Sequence, residues 1–492
     1  MNKVLKKGIS TLVSMGVVLS TVSCSKKQES VEVNFENASV HDPAIIKVED
    51  TFYVTGSHMA EAKSKDLINW TSISDSVANQ KLFENIKIEL QEALEWGKTS
   101  TFWASDWIKL NDGKYYLYYC VCEGTSPQGA IGYAVADSID GPFENLGLLV
   151  KSSGKEELKY RDENGEEKIY DANVNPNAID PAVFYDEEGK LWMMYGSYSG
   201  GIYIIELNPN NGTILEGQGD YGKKILGGYH SEIEAPYVIY SKETGYYYLF
   251  LSFGGLTSDG GYNMRVARSK NPDGPYVDSI GNDMIDCKGV KGKFLAAQNE
   301  YIMNYGNKLF GNFRYPIDGI EEETYLDPYN LGYVSAGHNS VYYDYETGSY
   351  FLIFHSRFPD TGEAHQIRVH QMYLNDDGWF VVSPFRYIGE NTTDAYKLKD
   401  VVGEYSFINH GREIWDLVKD FNSIKLNKDG SITGDIEGSF YFDEGNKITM
   451  SIDGEDYKGV VIKQYDINRK VYTMTFTLMG SENGIALWGI KK

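Results

Sequence analysis

At 492 residues, and roughly 100–200 residues per domain, the chain is too long for one small core and suits a large domain with a smaller companion. Its 39 tyrosines and 51 glycines, against 13 prolines, favour strands and tight turns over helices, and beyond the N-terminus nothing is apolar for long enough to cross a bilayer. A formal charge of −24 repels nucleic acid and anionic polymers, so a neutral substrate or solubility outside the cell is expected, with no nucleic-acid partner.

Residues 1–24 read as a secretory signal: Lys3, Lys6 and Lys7 form a basic start, and Ile9 to Val22 an apolar stretch ending in small residues. Cys24 resembles the lipid-modified cysteine of bacterial lipoproteins, with Thr21-Val22-Ser23 in place of the usual Leu-small-small. Residues 25–38 then form a tether. The expectation is a secreted cell-surface protein, monomeric, whose one membrane link is a lipid on Cys24; free secretion is the alternative.

From residue 39 to 397 one pattern recurs: a polar residue, a short apolar strand, a turn with Gly or Asp, and an aromatic strand. It begins at Asp42, Asp106, Asp180, Glu234 and His338. Outer hairpins follow at Ala62 to Trp70, Ala134 to Phe143 and Ala267 to Tyr276. Four-stranded units in tandem describe a five-bladed β-propeller, a sixth blade being the alternative. Tyr305 to Phe313 reads as outer strands of blade four. Leu82 to Trp96 has helical spacing and caps one rim, and Lys151 to Asp171 is a charged loop without periodicity. Cys120 and Cys122 point to one face of a strand and do not suit a mutual disulfide. Residues 398–492 alternate in short segments and form a small, separate β-barrel or sandwich. The fold class is therefore all-β.

In a propeller the innermost strand of each blade begins at one mouth of the channel, so the first positions of the repeat converge. An acid beside Pro is also an ordinary strand start, and for Asp106, followed by Trp107, that structural reading is favoured. As a set, clustered charges repel and need a function or a cation to offset them. Glycoside hydrolysis uses such a cluster. An inverting enzyme sets a base and an acid roughly 6.5–9.5 Å apart, and a third carboxylate raises the acid's pKa by repulsion. Trp103 is placed to stack on a sugar or to pack between blades.

Several segments carry a resemblance: His41-Asp42-Pro43, Phe102-Trp103-Ala104-Ser105-Asp106, Asn177-Ala178-Ile179-Asp180-Pro181, Tyr195-Gly196-Ser197-Tyr198, Ile233-Glu234-Ala235-Pro236-Tyr237 and Gly337-His338-Asn339-Ser340. In this order the chain resembles glycoside hydrolase family 43, and within it the two-domain bacterial endo-α-1,5-L-arabinanases. The resemblance implies hydrolysis of arabinan with Asp42 as general base, Glu234 as general acid and Asp180 tuning and orienting Glu234. It also implies that His338 binds a cation, usually Ca²⁺, through one ring nitrogen with water completing the shell. Read from its own surroundings in the sequence, His338 is a structural histidine. Trp103, Asn177, Ser197 and Tyr198 match substrate contacts. Departures are Ser105 in place of Pro, Ser199 where arabinanases often have Phe-Trp, and Cys120 and Cys122 at positions that are usually Ser-like. An exo-acting arabinofuranosidase or β-xylosidase of the same fold and a non-catalytic glycan-binding lipoprotein are the competing readings.

Overall fold

The computed structural model describes residues 33–318, 320, 326–390, 394–443 and 445–492. The expected signal, Cys24 and most of the tether lie outside them. The chain is docked from Phe35 onward, where the ring packs on the Arg386 guanidinium, so the last residues expected in the tether belong to the fold. Among the described residues no helix is long and apolar enough to cross a membrane.

Five antiparallel sheets stand around an axis. Blade I comprises Ala44–Val48, Thr51–Thr55, Glu61–Ser64 and Thr71–Ser74, and blade II Asp106–Lys109, Tyr115–Cys122, Gly129–Ala136 and Glu144–Lys151. Blade III comprises Ala182–Tyr185, Leu191–Tyr195, Ile202–Leu207 and Lys223–Leu226, and blade IV Ile233–Ser241, Tyr246–Phe253, Asn263–Ser269 and Asn307–Lys308. Blade V comprises Gly332–Asp344, Ser349–Arg357, His365–Leu374 and Phe380–Val382. The inner hairpins fall where the repeat puts them.

Strands here read as continuous apolar runs because both faces of each sheet are covered by neighbouring blades. In Tyr115–Cys122, Leu117, Tyr119 and Val121 pack toward Ile46, Val48 and Tyr53 of blade I. Tyr116, Tyr118, Cys120 and Cys122 pack toward Val183 and Met193 of blade III. The two cysteines thus share a face and are free thiols. The ring closes where Phe52 and Val54 meet Phe351 and Ile353, sealed by hydrogen bonds from Ile367 N–H to Ala38 O (3.0 Å) and from Ser340 Oγ to Pro43 O (2.7 Å).

Three expectations are corrected. Lys151 to Asp171 is not a plain loop: Lys159–Arg161 and Glu167–Ile169 pair as a short hairpin around the Asn164-Gly165 turn. Of Tyr305 to Phe313, only Asn307–Lys308 belongs to blade IV; Phe313–Arg314 pairs instead with Tyr333 and Gly332 at the start of blade V's first strand. The segment around Gly274-Pro275-Tyr276 is not a strand either. A long insertion displaces blade IV's fourth strand to residue 307, and only the Arg268–Val277 bridge remains of the expected outer hairpin. The rim helix forms as two short pieces, Ile86–Glu89 and Gln91–Trp96, burying Leu82, Ile86, Leu90 and Ala93 against blade II.

The C-terminal unit is a closed eight-stranded barrel running from Gly403–Asn409 to Ala486–Lys491. It is not separate from the propeller. Trp488, Ile408, Val460 and Met479 of the barrel share one core with Phe310, Phe313, Tyr333 and Phe380. Two buried basic side chains of the propeller reach across the seam. Arg265 donates to Arg412 O (2.5 Å), and Lys308 Nζ donates to His410 O (3.2 Å) and Glu413 O (2.7 Å). Burial, with Arg265 nearby, holds the Lys308 pKa well below the ordinary lysine value.

Candidate active site

Four first strands carry a kink at or near their entry into the cavity, in blade V after residues 332–334 have already paired, and it is costly for residues with a Cβ. Asp42 (φ 60°), Asp180 (φ 56°), Ala235 (φ 57°) and His338 (φ 45°) all lie in the left-handed region. Such a conformation costs on the order of 1–3 kcal/mol each and is kept where the surroundings over-determine it. In blades IV and V register shifts accompany it, between Glu234 and Tyr237 and on both sides of His338. The kink directs Asp42, Asp180, Glu234 and His338 into one cavity of about 680 Å³, which Trp103, Asn177, Ser197 and Tyr198 also line. A second cavity of about 710 Å³ lies at the edge of blade III and is rimmed by exposed ion pairs such as Lys223–Asp273. It holds none of these residues.

Asp106 stays out. It lacks the kink, and its carboxylate accepts from Trp107 N–H (2.9 Å) and from Val183 N–H of the next blade (2.8 Å). Burial pushes its pKa up to about 7. It begins its strand and staples blades II and III, in keeping with the structural reading favoured for it from the sequence.

Asp42 is held from four sides. Its Oδ1 lies 2.7 Å from His41 Nδ1 and 3.0 Å from His338 Nδ1, Ser57 Oγ donates to Oδ2 (2.5 Å), and its N–H donates to His355 Nδ1 (3.2 Å). Ser57 reaches it because Gly56 lets the chain pass close: a Cβ there would sit 2.0 Å from His41 O. His355 Nδ1 is also 3.6 Å from Asp42 Oδ1, yet it accepts the Asp42 N–H and is neutral, since burial and His41 hold its pKa well below the ordinary value. Burial alone raises the Asp42 pKa. His338 and His41 outweigh this and hold it well below the usual carboxylate range, so Asp42 is ionised near neutral pH.

Glu234 is held by two hydroxyls: Ser197 Oγ donates to Oε2 (2.7 Å) and Tyr262 O–H to Oε1 (2.7 Å). Tyr262 is fully buried and its ring lies flat on Gly337, where an added Cβ would come within 2.1 Å of it. The glycine before His338 is therefore fixed by the residue that positions Glu234. Asp180 accepts from Ala235 N–H (3.2 Å). Burial raises its pKa, His338 opposes, and Glu234 and Asp42 add to the rise, leaving it at about 8. Repulsion among the carboxylates holds a proton in this corner of the cavity.

His338 has its Nδ1 on Asp42, and its other ring nitrogen has no hydrogen-bond partner among the described residues. Burial lowers its pKa, but Asp42, Asp180 and Glu234 lift it to about 9. A ring that attracts a proton this strongly, with its free nitrogen in a carboxylate-lined cavity, fits a cation whose remaining ligands are water oxygens. The trio His41, Asp42 and His355 fits one less well. Its rings stack at 3.8 Å, and the Arg357 guanidinium lies 3.5 Å from both.

The wall residues divide their roles. Trp103 both lines the cavity and packs in the blade II–III core, its Nε1 donating to Cys122 O (3.1 Å). Asn177 Oδ1 accepts from Ser152 Oγ (3.1 Å), and its amide lies 3.8 Å from Cys122 Sγ. Cys122 thus forms part of the wall beside Asn177. Tyr198 (φ 47°) and Ser199 (φ 31°) carry the chain past Glu234. Ser57, His355, Tyr262 and Arg357 have no motif to reveal them. His41, next to Asp42, offered its position as a signal.

Residues 35–308 match the glycosyl hydrolases family 43, and residues 384–489 match a C-terminal lipocalin-like domain. The chain belongs to family 43. It is 50% identical to the extracellular endo-alpha-(1->5)-L-arabinanase of Thermotoga petrophila, covering 93% of this chain and 94% of that one. It is 48% identical to the extracellular endo-alpha-(1->5)-L-arabinanase 2 of Bacillus subtilis over the same shares. The crystal structure of the Thermotoga petrophila endo-1,5-alpha-L-arabinanase superposes with a TM-score of 0.86 at 49% identity, covering 94% of this chain and 100% of that one. As a family 43 member the protein is a glycoside hydrolase, and Asp42, Asp180 and Glu234 meet in one cavity.

Proposed function

We propose that the protein is an endo-arabinanase, hydrolysing α-1,5-L-arabinofuranosyl linkages within arabinan with inversion at the anomeric carbon. The observation that carries the reading is the unequal treatment of three buried carboxylates: Asp42 kept ionised, Asp180 kept protonated, Glu234 clasped by two hydroxyls. Asp42 takes the proton of a water as it attacks the anomeric carbon, and Glu234 gives its proton to the departing sugar oxygen. Asp180, tied to Ala235 N–H, orients Glu234 and keeps protons in its corner. Trp103, Asn177, Ser197 and Tyr198 bind the sugars. The endo-arabinanase names of the two half-identical relatives support the substrate.

A Ca²⁺ ion at the free nitrogen of His338 would replace the proton that ring now attracts and supply fixed positive charge among the carboxylates. The names of the two relatives, both called extracellular, support secretion; the protein acts as a monomer, held to the membrane by a lipid on Cys24.

Digestion of linear α-1,5-arabinan tests the reading. Short oligosaccharides are expected to accumulate while viscosity falls early, with the inverted anomer in the first NMR spectra. Release of single arabinose units from the start would point to exo action, and no release would overturn the substrate. Chelator is expected to slow the reaction and added Ca²⁺ to restore it; an unchanged rate would remove the cation from His338. Tyr262→Phe deletes one hydrogen bond to Glu234 and is expected to lower kcat about tenfold at little cost in KM. A full-rate variant would leave Ser197 as the group that positions Glu234.

A further inference from the structure

Blade IV carries a long insertion between Asn263–Ser269 and Asn307–Lys308, with short helices at Met284–Asp286, Leu295–Gln298 and Asn299–Ile302. One fully buried side chain organises it. Gln298 Nε2 donates to Tyr229 O (2.7 Å), Lys293 O (2.6 Å) and Val290 O (3.1 Å), and its Oε1 accepts from Val290 N–H (2.8 Å). The insertion is thereby fixed over Tyr229-His230, next to the cavity that holds Asp42 and Glu234.

Phe294 is 59% exposed and Leu295 53%, two large apolar side chains side by side in water. Among the described residues Phe294 has one ring neighbour, His230, at 5.5 Å and tilted by 39°. His230 and Leu295 both line the cavity. Tyr229 (φ 55°), His230 (φ 61°) and Leu295 (φ 51°) all sit in the left-handed region. Strain gathered at the margin of a site, with a buried amide fixing the loop, is how ligand clamps are built. No part of the core needs these side chains where they are, and exposing them is unfavourable unless something apolar comes to cover them.

We propose that Phe294, with His230 and Leu295, forms a distal sugar subsite that covers the C–H face of an arabinosyl unit reaching beyond the carboxylates. It rests on the endo-arabinanase reading and deepens it, because such a subsite favours long chains over short ones. The occupant is the far end of an arabinan chain bound for cleavage, since His230 and Leu295 line the same cavity as Asp42 and Glu234.

The test compares kcat/KM on arabinohexaose and on arabinotriose for the wild type, Phe294→Ala and Phe294→Trp. The hexaose-to-triose ratio is expected to fall about tenfold in Phe294→Ala and to return in Phe294→Trp, which restores an aromatic face. Binding of the two oligosaccharides to Glu234→Gln, with and without Phe294→Ala, should show the same loss for the hexaose. An unchanged ratio, an equal loss on both substrates, or a tryptophan variant that behaves like the alanine one would overturn the subsite while leaving the hydrolase intact. If the wild-type protein neither cleaves nor binds arabino-oligosaccharides, the substrate reading fails and the subsite falls with it.

Discussion

Asp42→Asn is expected to lower kcat on linear arabinan about 10³-fold with little change in KM. The amide has the shape of the carboxylate, so the clasp of Ser57, His41 and His338 stays near its present geometry. What is lost is the ability to take a proton from water. A strong anionic nucleophile needs no such help, so added azide should recover part of the rate and yield an arabinosyl azide of inverted configuration. An Asp42→Asn enzyme retaining more than a tenth of the wild-type rate would show that another group is the base.

Glu234→Gln should cost about as much on arabinan, again about 10³-fold, but for a different bond. Here the sugar leaving group departs without its proton. The loss should shrink sharply on an aryl arabinobioside whose phenol leaves as a stable anion. Asp42→Asn should not discriminate between the two substrates in this way. Equal losses for Glu234→Gln on both would place Glu234 in binding and leave the acid to be found elsewhere, with Asp180 the nearest candidate. Ser197 and Tyr262 accommodate the amide, since its carbonyl oxygen still accepts from one of them.

Much of this site was legible because a propeller turns a sequence repeat into a spatial one. Asp42, Asp180 and Glu234 start equivalent strands, and Pro43, Pro181 and Pro236 mark where the kink falls. Asp106 shows the limit of the pattern: its strand starts without the kink and its carboxylate turns to Val183, whereas His338 is kinked with Asn339 and not Pro after it. Tyr262 could not be found this way, because its role is set by a contact with Gly337 across two blades. Nor could Phe294, which sits in an insertion without periodicity and owes its position to a buried glutamine. The outer strands were misassigned for a related reason. Asn307–Lys308 and Phe313–Arg314 are two residues each, too short for an alternating pattern to show, and their pairing depends on where the insertion ends.

The seam between propeller and barrel limits how this chain can be recombined. Arg265 and Lys308 belong to the propeller, but carbonyls of residues 410–413 accept hydrogen bonds from both. A propeller cut free, or grafted onto a foreign barrel, would leave Lys308 without the two carbonyls it donates to, while Arg265 would lose Arg412 O but keep Asn263 Oδ1, Met303 O and Tyr305 O. Shedding the barrel is therefore expected to cost most at Lys308, whose buried amine would lose both carbonyls.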